Sequence, residues 1–150
     1  MSYTSLLCHI VFRTKYSNET INEENEENLY RYIWGFIKNK GCVLYRINGM
    51  PDHIHILVQL HPSIAVSDFV KQLKNATNQW LKENRDFFPD FEAWGRKYFA
   101  MTYNYRDKDL IINYIKNQKE HHKTEKTSDE VRRLSNENNI QIDENYWEED

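Results

Sequence analysis

The chain has 150 residues, of which 39% are hydrophobic and 29% are charged, a balance typical of one globular domain rather than a disordered or fibrous protein. Its formal net charge of −3 argues against a nucleic-acid-binding protein that relies on a uniformly basic surface. No membrane span and no secretory signal are recognisable, so we expect a cytoplasmic protein in which Cys8 and Cys42 remain reduced.

A strand and a helix are predicted first. Residues 3–13 are rich in β-branched and aromatic side chains, which favours a strand. Residues 23–40 carry apolar side chains at helical spacing, which predicts a helix with Asn22 as its N-cap and Gly41 at its end.

A hairpin follows, and it contains the most informative pattern in the sequence. Residues 42–48 and 53–60 predict two strands joined by turn-forming residues 49–52. Alternate side chains of a strand face the same way, so His53 and His55 share one face while apolar residues line the other. Two neighbouring imidazoles can bind a divalent metal ion, although two half-buried structural histidines would give the same pattern.

Helices dominate the second half of the chain. An apolar stripe predicts a helix over residues 66–80, and a fourth strand is predicted over residues 96–103. One helix is then expected over residues 107–122, and a shorter helix begins at about Ser128.

The predicted order β-α-β-β-α-β, followed by helices, is the ferredoxin-like pattern of the α+β class. In this pattern two helices cover one face of a four-stranded antiparallel sheet. The apolar face of the histidine strand would meet those helices, so the face with His53 and His55 would be open or covered by something else. We interpret residues 1–150 as one domain.

The end of this domain is predicted to be an acidic tail, from about residue 143 to residue 150. It holds five acids and no base, namely Asp143, Glu144, Glu148, Glu149 and Asp150. Without those five negative charges the formal charge of −3 becomes +2. The tail could fold back over a basic groove or simply keep the protein in solution.

The helix predicted over residues 107–122 carries a second candidate pair. Tyr114 and Gln118 are four residues apart and therefore share one helical face. A tyrosine can act as a covalent nucleophile, and a glutamine oxygen can bind a hard metal ion. A tyrosine that merely packs on its own helix would have the same spacing, so spacing alone leaves the role of the pair open.

Several segments together resemble the single-tyrosine HUH transposases of the insertion-sequence-200/605 type. His53-Ile54-His55, within PDHIHILV, matches the His–hydrophobe–His motif of that family. Tyr114 and Gln118, within NYIKNQKEHH, match its Tyr-x-x-x-Gln pattern, while CHIVFRTKY and WGRKYFAMT resemble its first and last strands. The resemblance extends over nearly the whole chain, and the joint order of the motifs is more specific than any one of them.

This resemblance implies an activity and a set of site residues. His53 and His55 would bind Mg²⁺ or Mn²⁺ with Gln118 as the third ligand, and Tyr114 would attack a DNA phosphate. The product would be a 5′-phosphotyrosine link and a free 3′-hydroxyl. Family members act on single-stranded DNA with hairpins at element ends. They work as homodimers, in which the tyrosine helix of one subunit often completes the metal site of the other.

Other candidate residues carry less specific signals. We find no Walker A loop and no GxGxxG motif, and the covalent link conserves phosphodiester energy, so we expect no nucleotide cofactor. Six basic residues are candidates for phosphate contacts or are ordinary surface charges: Arg13, Lys15, Lys71, Lys74, Arg96 and Lys97. Among the remaining histidines, we interpret His9 as structural and His121 and His122 as solvated polar residues.

Three functions remain compatible with the sequence. The first is a mobile-element transposase that cuts and rejoins single-stranded DNA at hairpins. The second is a repeat-associated housekeeping tyrosine transposase that acts on chromosomal hairpins. The third is a non-catalytic ferredoxin-like nucleic-acid-binding protein.

Overall fold

The computed structural model describes residues 2–143 and 145–147. Four strands form one sheet: β1 Leu7–Thr14, β2 Val43–Met50, β3 His53–Gln59 and β4 Trp94–Thr102. Their order in the sheet is β2-β3-β1-β4, and each neighbouring pair is antiparallel. The predicted α+β sheet is therefore confirmed, although β1 begins at Leu7 rather than at residue 3.

The described part of the chain forms five α-helices: α1 Glu26–Asn39, α2 Val66–Glu83, α3 Lys108–Lys116, α4 Gln118–His121 and α5 Thr127–Glu137. The single helix expected over residues 107–122 is interrupted at Asn117, whose ψ angle of 20° is not helical. The Asn22 side chain accepts a hydrogen bond from the backbone of Asn25, but residues 23–25 form a turn, and α1 begins at Glu26, three residues later than predicted. In the described residues, no helix is long and apolar enough to cross a membrane.

One face of the sheet is covered by α1 and α2. Alternate apolar residues of β1 and β3 point into this layer, as the period of two requires. They pack against apolar side chains of the two helices in one cluster, which includes Ile10, Phe12, Ile54, Ile56, Val58, Leu29, Ile33, Ile37, Phe69 and Leu73. Burying each such side chain contributes roughly 1.5–3 kcal/mol, so this layer is the main apolar core.

The opposite face is covered by α3, α4 and α5 of the same chain. One apolar cluster joins Leu7 and Leu57 of the sheet to Ile111 and Ile115 of α3. A second cluster joins the sheet to α5 and to the end of the chain, through Val11, Met101, Val131, Leu134 and Tyr146. Between them lie His53 and His55, both 0% exposed. The histidine face is thus closed by the chain's own helices.

A lysine and a glycine hold α4 close to the β2–β3 hairpin. Lys119 Nζ donates to Glu26 Oε2 at 2.9 Å, to Asn48 Oδ1 at 3.1 Å and to the Gly49 carbonyl at 2.6 Å. A Cβ atom at Gly49 would lie 2.2 Å from the His53 carbonyl oxygen, so only glycine fits at this approach. These contacts fix the start of the histidine strand relative to α4.

The described part of the predicted acidic tail folds back onto the sheet. The Tyr146 hydroxyl donates to the Ser128 carbonyl at 2.6 Å, and the Arg13 guanidinium lies 3.8 Å from the centroid of the Trp147 ring. Residues 144 and 148–150, which hold four of the five acids, lie outside the described residues.

Candidate metal centre and nucleophile

His53 lies at the first position of β3, between two carboxylates. Its Nδ1 bonds Asp52 Oδ1 at 2.7 Å, and its Nε2 lies 3.3 Å from Glu130 Oε1. Burial lowers the pKa of His53, but hydrogen bonds to Asp52 and Glu130 outweigh it and raise the pKa to about 9. The Asp52 contact directs Nε2 towards the centre of the site, as carboxylate partners do for metal-binding histidines.

His55 is oriented by a third histidine. His55 Nδ1 bonds His9 Nε2 at 2.8 Å, while His55 Nε2 bonds Glu130 Oε1 at 3.0 Å. Both rings are fully buried, and burial lowers the pKa of each. His9, interpreted from the sequence as structural, therefore acts on the site by holding the orientation of His55.

Glu130 of α5 is the central residue that sequence reasoning missed. Its Oε1 lies 3.0 Å from both His55 Nε2 and His122 Nε2, and its side chain is fully buried. Ligand atoms of His53, His55 and Glu130 all lie within 4.8 Å of one another. Burial raises the pKa of Glu130, but the charge and hydrogen bonds of the histidines bring it well below its usual range.

One signal could have identified Glu130. The buried residues of α5 are Thr127, Glu130, Val131, Leu134 and Ser135, which recur at helical spacing. An acidic residue in the middle of a buried helical stripe requires a hydrogen-bonding or positively charged partner, because an unpaired buried charge is strongly unfavourable. No sequence motif indicates which partner that would be.

The predicted pair Tyr114 and Gln118 meets at the same carboxylate. Gln118 is 0% exposed, and its Nε2 donates to Glu130 Oε2 at 2.8 Å. This bond turns its Oε1 towards His53 Nε2, 3.2 Å away. The Tyr114 hydroxyl donates a short hydrogen bond to the same Oε2. The two side chains therefore converge on Glu130, although one belongs to α3 and the other to α4.

The Tyr114 hydroxyl also accepts a hydrogen bond from Arg133 Nη2 at 2.7 Å. Burial and the negative charge of Glu130 hold the pKa of Tyr114 well above its usual range, while Arg133 opposes them. Tyr114 borders a cavity of about 400 Å³, whose lining includes Asn117, His121 and Arg133.

The prediction of a solvated side chain is wrong for His122, and His121 is half-buried. The His122 side chain is 5% exposed and bonds Glu130 Oε1 at 3.0 Å. The His121 ring stacks on Tyr114 with 4.5 Å between centroids. The physical reason is that α5 supplies the Glu130 carboxylate to His122, while His121 packs on the Tyr114 ring beside the cavity.

The basic candidates are placed differently from one another. Arg13 is buried against Trp147 and also donates to Ser17 Oγ at 2.9 Å. Lys74 Nζ donates to the carbonyls of Gly95, Arg96 and Lys97, which joins α2 to β4.

The remaining basic candidates differ in exposure. Lys71 and Arg96 are exposed, and Lys15 and Lys97 are half-buried.

The donor set at the centre fits a divalent cation. Two imidazole nitrogens, one carboxylate oxygen and one amide oxygen converge from His53, His55, Glu130 and Gln118. Imidazole nitrogen suits Mn²⁺ better than Mg²⁺, which prefers oxygen ligands. The arrangement thus combines a donor set suited to a divalent cation with a phenol bonded to the same carboxylate.

Two curated transposases share sequence with this chain. ISDra2 transposase TnpA of Deinococcus radiodurans is 25% identical over 114 residues, which cover 73% of this chain and 81% of that protein. The transposase for insertion sequence element IS200 of Salmonella typhimurium is 28% identical over 119 residues, which cover 77% of this chain and 78% of that protein.

Two solved structures share its fold. A protein assigned as a transposase from Deinococcus radiodurans R1 has a TM-score of 0.61 at 26% identity, covering 78% of this chain and 93% of that chain. A REP-associated tyrosine transposase bound to a REP hairpin also has a TM-score of 0.61, and covers 81% of this chain and 72% of that one. At 12% identity the second likeness shows the fold alone.

The profile of the family described as IS200-like transposases matches residues 2–118, well over half of the chain. The matched segment includes both histidines of β3, Tyr114 and Gln118, and it ends before α5. The protein belongs to the IS200-like transposase family.

Proposed function

We propose that this IS200-type transposase cleaves and rejoins single-stranded DNA through a 5′-phosphotyrosine link on Tyr114. One observation carries the proposal. The Tyr114 hydroxyl bonds one oxygen of Glu130, while the other oxygen lies within 3.3 Å of Nε2 of both His53 and His55. A nucleophile and a pair of metal-binding side chains therefore share one buried carboxylate.

The site would hold a divalent cation, Mn²⁺ or Mg²⁺, through His53, His55, Gln118 and Glu130. The first three are the ligands implied by the family resemblance, and Glu130 adds a negative charge to them. When bound, the cation polarises the scissile phosphate and stabilises negative charge on its oxygens. Two residues that would not touch the cation would hold the imidazole rings in place: Asp52 bonds His53, and His9 bonds His55.

The chain's own residues balance the chemical step. The Tyr114 oxygen forms a bond to phosphorus, the bond from phosphorus to the 3′-oxygen breaks, and that oxygen takes up one proton. The phenol proton passes to Glu130 Oε2, its hydrogen-bond acceptor, and from there through water to the 3′-oxygen, because the lowered pKa of Glu130 disfavours keeping the proton. Such an acceptor is needed because the raised pKa of Tyr114 disfavours spontaneous loss of the proton. In rejoining, a 3′-hydroxyl attacks the link and Tyr114 recovers its proton.

We propose hairpin-bearing single-stranded DNA as the substrate. Lys71 and Arg96 are exposed and can contact phosphates, and Lys15 and Lys97 can contribute at their half-buried positions. Lys74 holds α2 against β4 through its three bonds to backbone carbonyls, so its role is structural. Arg13 would reach DNA only if Trp147 moved away from its guanidinium.

The homodimer likewise remains a prediction from the family resemblance. Within one chain Tyr114 already lies beside its own His55, with 6.1 Å between ring centroids. A dimer would therefore not be required to complete the site.

The test is a covalent trapping assay with Tyr114→Phe. Labelled hairpin DNA with a single-stranded flank is incubated with the protein and Mn²⁺, then separated under denaturing conditions. We expect a protein–DNA adduct with the wild type and none with Tyr114→Phe. Tyr103→Phe is the matched control, because Tyr103 borders the same cavity but bonds Asn138 instead of Glu130. An adduct that persists in Tyr114→Phe contradicts the proposed nucleophile, and no adduct with the wild type favours the non-catalytic alternative.

A further inference from the structure

We propose that Arg133 is a second catalytic residue, which binds the scissile phosphate beside Tyr114 and stabilises negative charge on the attacking oxygen. This inference rests on the proposed function of Tyr114. Arg133 belongs to α5, beyond residues 2–118 that the family profile matches, so the family similarity gives it no role.

The position of the guanidinium is the first argument. Arg133 Nη2 donates to the Tyr114 hydroxyl at 2.7 Å, and its central carbon lies 5.4 Å from the ring centroid. The cation therefore contacts the oxygen that would attack phosphorus. A positive group bonded to a phenol oxygen favours the negative form that develops during attack.

The guanidinium is also held in a fixed orientation. Glu125 accepts two hydrogen bonds from it, at 3.0 Å from Nε and 2.9 Å from Nη2. Such a two-point contact orients the planar group and points Nη2 at Tyr114.

A third contact of the guanidinium is weaker. Arg133 Nη1 bonds Glu137 at 3.2 Å, and the Glu137 side chain is 54% exposed. An exposed ion pair contributes little, so a phosphate oxygen can replace Glu137 at Nη1.

The surroundings of the phenol give the third argument. Glu130, on the buried side of Tyr114, is negatively charged and would repel a DNA phosphate. Arg133 lines the cavity of about 400 Å³, together with Asn113, Asn117, His121 and Glu137, and Glu137 is the carboxylate that a phosphate oxygen would replace at Nη1. Arginine matches phosphate geometry and carries permanent charge, so it suits a position at this mouth of the site.

The test compares three substitutions by the rate of adduct formation under single-turnover conditions. We expect Arg133→Gln to slow cleavage about a hundredfold, as the loss of one preorganised donor to developing negative charge does. Rejoining from the isolated adduct should slow as well, because it passes through the same transition state. Arg133→Lys should recover part of the rate. Arg132→Gln is the matched control, since Arg132 is exposed on the same helix and lies over Tyr146.

Chemical rescue separates a catalytic role from a structural one. Guanidinium at non-denaturing millimolar concentration should restore at least part of the cleavage rate of Arg133→Ala, and it should not accelerate the wild type or Tyr114→Phe. A rate for Arg133→Gln equal to the wild-type rate overturns the inference. The inference is also overturned if guanidinium fails to rescue the lost rate and the midpoint of thermal unfolding of the variant is lowered.

The assay also distinguishes this inference from the proposed function. If adduct formation requires Tyr114 but is unaffected by Arg133→Gln, only the role of Arg133 fails. If the wild type forms no adduct, or Tyr114→Phe still forms one, the proposed function fails and the role of Arg133 fails with it.

Discussion

The two faces of the sheet are both buried, yet they are buried by different chemistry. On one face Ile54 and Ile56 of β3 pack into hydrocarbon from α1 and α2. On the other, His53 and His55 of the same strand face Glu130, with apolar clusters on either side. Alternation along a single strand therefore separates a layer that stabilises the fold from a layer that carries the chemistry.

The polar layer is built at a cost in stability. Buried polar atoms normally require hydrogen-bond partners. Within the described part of the chain, five buried side-chain atoms have no hydrogen-bond partner in the protein, and three of them, His9 Nδ1, His121 Nε2 and Ser135 Oγ, belong to this layer. Apolar side chains at these positions would give a more stable fold. The presence of unpaired polar atoms there therefore fits a layer that is arranged for binding and catalysis rather than for stability.

The largest expected effect comes from the polar face. The double variant His53→Ala/His55→Ala removes both imidazole ligands. Because Glu130 then loses two of its partners, the measurement is made on protein shown to be folded. We expect cleavage to fall about a thousandfold, because a bound cation supplies several kcal/mol of charge stabilisation. Mn²⁺ affinity, measured by calorimetry, should fall in parallel. Normal cleavage by a folded double variant would remove the histidines from the metal site.

The matched change on the apolar face is Ile56→Ala. It should lower the free energy of unfolding by about 3 kcal/mol, since it deletes buried hydrocarbon and leaves a cavity. Urea denaturation measures this change, and the cleavage rate per folded molecule should remain at the wild-type value. A specific loss of cleavage in fully folded Ile56→Ala would show that the two faces are not functionally separate.

The same contrast explains what could be predicted from the sequence. The hairpin, α1 and α2 follow apolar periodicity, because burial in hydrocarbon depends on which residues are apolar and how they are spaced. The pairs His53–His55 and Tyr114–Gln118 were found by their spacing and family resemblance, and the structure brings all four side chains to one place.

What could not be predicted depends on contacts between residues distant in the chain. Glu130 meets His55 across 75 positions, and nothing in the local sequence of α5 identifies that partner. The burial of the His122 side chain likewise follows from its contact with Glu130 of α5. Periodicity describes single elements, whereas these features are set by how elements pack on one another.

The smallest expected effect comes from a residue that contacts a proposed ligand and not the cation. Asp52 Oδ1 accepts from His53 Nδ1 at 2.7 Å, and Thr127 donates to the same carboxylate. Asp52→Asn keeps an oxygen acceptor but loses the charge, so Mn²⁺ affinity should fall about tenfold, at the low end for outer contacts of metal ligands. Asp129→Asn is the control, because it removes the same charge from an exposed position next to Glu130. Calorimetric titration with Mn²⁺ measures both variants. Equal Mn²⁺ affinities in the two variants would mean that the charge of Asp52 does not strengthen cation binding by His53. The rings of the polar layer would then be oriented by packing alone.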